Sequence, residues 1–117
     1  MRFEPVTAGA ELGIEQVFHF ADPLAWQQAL IIGRYAPQGL TAEGFIHAAT
    51  SAQIAGVVDR HLRGHGPRVR LTLDCASLAD SLQWEWSNAS GDLFPHVFGP
   101  IPLSAVIAST PFDPDAM

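Results

Sequence analysis

Arg68-Val-Arg-Leu-Thr-Leu-Asp74 is the stretch that decides the fold. Its residues alternate polar and apolar, the pattern of a strand with one face buried. Val69, Leu71 and Leu73 form the inward set, and Cys75 continues that face, where a small thiol packs as an apolar group. Upstream the signals are helical. Thr50 or Ser51 caps a run in which Ile54, Val57, Val58, His61 and Leu62 recur at helical spacing, and Gly64 and Gly66-Pro67 end it. Downstream the alternation returns in Leu82-Gln-Trp-Glu-Trp86, with Leu82, Trp84 and Trp86 on one side and a turn from Asn88 to Asp92.

Farther out, Gln16-Val-Phe-His-Phe20 is a short strand with Val17 and His19 sharing a side. Asp22-Pro23 starts a helix, with aspartate as N-cap and proline at the first helical position. Trp26, Ala29 and Leu30 share one helix face, and Gly33 is the stop. Residues 34–44, with Pro37, Gly39 and Gly44, read as an irregular loop, and Phe45-Ile46-His47 as a brief extended segment. Pro95, Pro100 and Pro102 make 93–102 a stiff loop, and Val106-Ile-Ala108 is the final strand. Helices and strands mix without βαβ regularity, so the expected class is α+β, with two main helices. The expected organisation is an N-terminal arm over residues 1–14, one domain over 15–112 and a tail over 113–117.

The bulk properties bound the function. A chain of 117 residues that is 48% apolar has one core. No stretch approaches a membrane span, and Met1-Arg-Phe-Glu-Pro5 lacks the apolar segment of a secretory signal, so a cytoplasmic location is expected. The single cysteine cannot form an intramolecular disulfide, and the net charge of −6 disfavours nucleic-acid and membrane partners. There is no lysine, which excludes side-chain Schiff-base chemistry. Four of the six arginines, Arg60, Arg63, Arg68 and Arg70, fall in one stretch. They suit either a solvated helix end and strand face or bidentate phosphate contacts.

Three of the five histidines, His19, His47 and His96, lie in apolar surroundings (Phe18-His19-Phe20, Phe45-Ile46-His47, Phe94-Pro95-His96). A ring placed there must be hydrogen-bonded or face a cleft, since a buried unsatisfied polar group costs about 1–3 kcal/mol. Three such residues in one small domain point to a shared site, while His61 and His65 read as surface residues at a helix end. The three are tens of residues apart with no cysteine nearby, so no metal site is expected. The serines lack a nucleophile elbow, and no glycine-rich phosphate loop is present. Glu43, beside Gly44, and Glu85, between two tryptophans, are candidate acids, and Glu85 is most simply the exposed partner in an alternating strand.

Gly44-Phe-Ile-His-Ala-Ala-Thr50 and Leu93-Phe-Pro-His-Val-Phe-Gly-Pro100 together resemble the bacterial and plant family called domain of unknown function 952. Val17-Phe-His19 matches its opening motif, and Gly33-Arg-Tyr35 and Trp84-Glu85 fit its middle, so the resemblance covers roughly residues 16–112. That family is similar to a compact ADP-ribosyltransferase fold, a mixed split β structure with flanking helices and an NAD cleft between two sheets. The resemblance implies an ADP-ribosyl-transfer enzyme with NAD as substrate, a small-molecule nucleotide ligand and no metal. His19 would then hydrogen-bond the nicotinamide ribose, with Phe45 and Tyr35 available to stack on nicotinamide. Thr50 joins them as cofactor-binding, since Ile-His-x-x-Thr is similar to the His-x-Ser stretch of RNA 2′-phosphotransferases. His47 would line the cleft, His96 would take the position of a catalytic glutamate, and His96 or Glu43 would handle protons. Related sequences tend to carry tyrosine at Phe18 and Phe98 and serine at Ala49, and each difference removes a hydroxyl from this chain. Those losses support an alternative, a non-catalytic module that binds a nucleotide or a phosphorylated small molecule. A purely structural or protein-interaction role is the third reading, with the histidines satisfying the core.

Overall fold

The computed structural model describes residues 13–117. In chain order the elements are β1 (Gln16–Ala21), α1 (Pro23–Ile32), β2 (Arg34–Tyr35), α2 (Gln38–Glu43) and β3 (Ile46–His47). A helical segment over 51–62, called α3, combines a tight turn Ser51–Gln53, an α turn Ile54–Val57 and a widened turn Val58–Leu62. Then come β4 (Arg68–Asp74), β5 (Leu82–Ser87), β6 (Asp92–Val97), β7 (Ile101–Pro102) and β8 (Val106–Phe112). The class is α+β. Among the described residues all strand pairs are antiparallel, in three small sheets ordered β1-β4-β8, β2-β7 and β3-β6-β5.

The first sheet follows from the alternation. β4 is its centre, and Val17 opposite Leu73, His19 opposite Leu71 and Ala21 opposite Val69 share one face. Val17, Ala21, Leu71 and Leu73 are fully buried. On the other face Phe20 packs on Phe112 with ring centroids 4.8 Å apart. Helix α1 starts as its sequence dictates: Asp22 Oδ2 accepts from the N–H groups of Leu24 and Ala25 at 3.1 Å. It ends on Gly33 at φ 99°, a left-handed position that suits glycine. Trp26 and Ala29 of this helix enter the core.

The segment 46–49 links the two larger sheets. Ile46 and His47 pair with Val97 and His96 of β6, and Ala48 N–H continues that ladder to Pro95 O at 3.1 Å. The next residue switches partner: Ala49 and Phe18 exchange both backbone hydrogen bonds, at 2.7 and 2.8 Å.

Several expectations are corrected. Residues 34–44 hold strand β2 and helix α2, which are too short to show a period. Residues 93–102 hold most of β6 and all of β7. Pro95 is tolerated inside β6 because its backbone faces β3 just past that strand's second and last residue, so one ladder bond is lost at an end. Leu30 and Trp86, read as sharing a face with residues that are buried, are 57% and 62% exposed. Among the described residues there are three main helical segments where two main helices were expected, with short 3-10 turns besides.

The chain ends also differ from a simple arm and tail. Ile14 already packs against the core, while the rest of the expected arm, 1–12, lies outside the described residues. Residues 113–117 are fastened: Pro114 is buried and its carbonyl accepts from Arg63 Nη1 at 2.9 Å, and Asp115 Oδ1 accepts from Gly64 N–H at 3.1 Å. Among the described residues, no helix is long and apolar enough to cross a membrane.

The capping geometry carries a test. Asp22→Ala leaves two helix-end N–H groups without their acceptor and costs about 1 kcal/mol. Calorimetry should show a Tm lower by about 4 °C, with Asp22→Asn close to the parent.

Candidate functional site

The three histidines of the sequence reading come together. β3 and β6 place His47 directly opposite His96, with rings edge-on and centroids 5.3 Å apart. β1 brings His19 alongside, where its Nδ1 lies 2.6 Å from the His47 carbonyl.

A carbonyl only accepts, so His19 Nδ1–H is the donor and Nε2 carries the lone pair. That lone pair accepts the Tyr35 hydroxyl proton at 2.8 Å. Both ring nitrogens are therefore committed inside the protein. Burial pulls the His19 pKa down from 6.5 to about 4; the bond to the His47 carbonyl opposes this, and the His47 charge adds to it. His19 is neutral at physiological pH. Burial, with Asp22 nearby, holds the Tyr35 phenol well above its ordinary range against the opposing charge of Arg68.

His47 and His96 have a different environment. Each is held by a carboxylate through one nitrogen. His47 Nε2 lies 3.1 and 3.2 Å from the two oxygens of Glu43, at the end of α2. His96 Nδ1 donates to Glu85 Oε1 at 2.6 Å across the β5–β6 ladder. Phe45 organises the pair: it stacks on His96 with centroids 4.1 Å apart and an interplanar angle of 20°, and meets His47 edge-on at 4.8 Å. Phe98 closes against Phe45 at 5.4 Å.

Beside these groups lies one open cavity of about 840 Å³, within the range of small-molecule sites. His19, Tyr35, Glu43, Phe45, His47 and His96 all reach it. Thr50, expected to bind cofactor, does not line it. Thr50 instead opens α3 in a capping box with Gln53, whose Oε1 accepts from Thr50 N–H at 3.0 Å. Sequence reasoning missed two features here. It named Glu85 as a candidate acid but not as the partner of His96, because that pairing depends on the β5–β6 register. It set Trp86 on the same strand side as Leu82 and Trp84, which are buried, whereas Trp86 lines the cavity and its indole N–H donates to Asn88 Oδ1 at 2.9 Å. The turn beginning at residue 88 was the available signal that the strand's inward face ends before Trp86.

Among the described residues, no group of three His, Cys, Asp or Glu side chains has a metal-holding arrangement. Cys75 packs beside the core, and burial, then the Asp74 charge, pushes its thiol up to about 11. It is a protonated, poorly nucleophilic thiol.

A small α+β scaffold with a histidine-lined cavity between its sheets is the class these observations define. The chain belongs to the family described as "Protein of unknown function (DUF952)", whose model matches residues 20–109. It is similar to protein CC0527 of Caulobacter crescentus. In the crystal structure of that protein the identity is 27%, the match covers 84% of this chain and 86% of that one, and the TM-score is 0.76. In its solution NMR structure the identity is again 27%, with 81% and 82% covered and a TM-score of 0.69. No curated protein matches the chain.

Two tests follow from the geometry. The folded-state pKa of His19 lies below its ordinary value. Between the two, the unfolded chain binds a proton that the folded chain does not, so stability rises with pH. The contribution, up to about 3 kcal/mol, is complete above pH 6.5 and lost as pH falls through 4. Denaturant titrations of His19→Gln should show a shallower pH slope over this window than the parent. His47, whose side chain is 61% exposed, is the contrast. His47→Ala should change stability by less than about 0.5 kcal/mol in the same measurement.

Proposed function

We propose that this protein is a small enzyme of the ADP-ribosyl-transfer type that takes NAD as substrate and a nucleophilic acceptor as its partner. The observation that carries the reading is His96: it lines the cavity, stacks on Phe45 and donates Nδ1–H to Glu85 at 2.6 Å. A histidine held in this way keeps Nε2 as a base, and the carboxylate stabilises the imidazolium that forms. Glu85 also supplies, from the neighbouring strand, the negative charge that a catalytic glutamate would bring to this position. The cavity suits the ligand in size, and Phe45 and the exposed Trp86 offer aromatic surface for a planar ring. In the transfer, the acceptor gives its proton to His96 and bonds to the ribose anomeric carbon as the bond to nicotinamide breaks, releasing neutral nicotinamide.

A second reading is a module that binds a nucleotide or phosphorylated small molecule without turnover. Two observations favour it. Both nitrogens of His19 are already engaged, by the His47 carbonyl and Tyr35, leaving none for a ribose. Phe18, Ala49 and Phe98 also bring no hydroxyl.

Incubation with NAD labelled in nicotinamide, across protein, nucleic-acid and small-molecule acceptors, separates the readings. The enzyme releases nicotinamide, and His96→Ala slows release by about a hundredfold or more, with Glu85→Gln intermediate. NAD binding by calorimetry without release supports the module. Neither binding nor release overturns both.

A further inference from the structure

The four clustered arginines do not share one role. Arg63 is structural: Nε bonds Asp59 Oδ1 at 2.8 Å and Nη1 bonds the Pro114 carbonyl at 2.9 Å. Arg70 is half-buried, with its guanidinium carbon 5.8 Å from the Phe18 ring centroid. Arg60 and Arg68 differ from both, because they line the cavity, Arg60 from the widened turn of α3 and Arg68 from the first residue of β4.

Arg60 has no acidic partner among the described residues, since Asp59 beside it is taken by Arg63. Its guanidinium lies over Gly56. A Cβ at that position would come within 3.0 Å of Nη2 and 3.3 Å of Nη1. Glycine inside a helix is unfavourable, and here it leaves the space that the guanidinium occupies. Past this point the helix widens, with Arg63 N–H bonding back five residues to the Val58 carbonyl at 3.1 Å, a departure that recurs at functional sites. His61, the next residue, lines the same cavity.

Arg68 Nη1 stands 4.0 Å from Asp22 Oδ1, too far for a hydrogen bond, and 3.4 Å from its neighbour's carbonyl, Pro67 O. The other Asp22 oxygen is held by the amides of α1. Asp22 and Glu43 are the carboxylates on the cavity wall, and Glu43 is bonded to His47. Arg60 and Arg68, neither of which hydrogen-bonds a carboxylate among the described residues, therefore line one cavity in a chain of net charge −6, where an anion has few other places to bind.

We infer that Arg60 and Arg68 form a subsite for the diphosphate group of a nucleoside diphosphate ligand. This rests on the cavity being a ligand site, as proposed above, but not on transfer taking place there. Guanidinium forks match phosphoryl oxygens in pairs, and two forks from separate elements suit two linked phosphoryl groups. Phe45 and Trp86 line the same cavity and offer aromatic surface to the rest of the ligand.

The test titrates the full chain, at fixed ionic strength, with inorganic pyrophosphate, ADP, adenosine and succinate. Pyrophosphate and ADP should bind at least about tenfold more tightly than succinate and adenosine, and Arg60→Gln and Arg68→Gln should each weaken pyrophosphate by about tenfold. Arg63→Gln should lower Tm and leave the affinity unchanged. Gly56→Ala guards against loss of folding: it favours helix while displacing the Arg60 guanidinium, so Tm should hold while pyrophosphate weakens. Succinate binding as tightly as pyrophosphate, or either glutamine variant binding like the parent, overturns the subsite. Arginine-dependent pyrophosphate binding with no response to NAD supports the subsite and overturns ADP-ribosyl transfer. NAD turnover that ignores both arginine substitutions overturns the subsite and leaves the transfer reading standing.

Discussion

Two backbone hydrogen bonds, exchanged between Phe18 and Ala49 at 2.7 and 2.8 Å, hold the two larger sheets together. Each nets only about 1 kcal/mol, but leaving such groups buried and unpaired costs about 1–3 kcal/mol apiece, so the junction is strongly specified. The residues there must be small for the sheets to meet, and Ala48 and Ala49 are 6% and 2% exposed. The next pair outward is His19 with the His47 carbonyl. The site thus inherits its geometry from a backbone junction: β1 cannot shift against β3 without breaking the bonds that orient His19.

That junction divides the histidines by environment. His19 is neutral, saturated and on the core side, where it acts as a peg between Tyr35 and the backbone. His47 and His96 each keep one nitrogen beyond their carboxylate partner. A half-buried imidazole with both nitrogens used has little proton chemistry left, whereas a carboxylate-held imidazole at a cavity is poised for it. The same three residues that looked alike in sequence therefore do two kinds of work.

What was legible in the sequence was local. β4, β1, β5 and the ends of α1 are written in alternation and capping residues, which act within a few positions. β2, β3 and β7 have two residues each, too few for any period, and exist only because a distant partner pairs with them. β6 was hidden by Pro95, whose cost is small only because β3 is so short. At the site, the convergence of His19, His47 and His96 could be inferred from their apolar settings. The capping task of Thr50 was legible too, and the turn after Trp86 marked where the inward face ends, but the pairing of His96 with Glu85 depends on register and could not be inferred.

The pairing register has a consequence for how the chain comes together. Val17 waits for Leu73, Tyr35 for Ile101 and His47 for His96, and β4 has its second neighbour only in β8. Among the described residues, the β5–β6 hairpin is the one ladder built between neighbours in sequence. Loop-closure entropy must be overcome before the other ladders repay it. On a ribosome, the hairpin is the one sheet element that can close soon after its own strands emerge. Most of the cavity's walls cannot be assembled until nearly all of this sequence is free to fold back on itself.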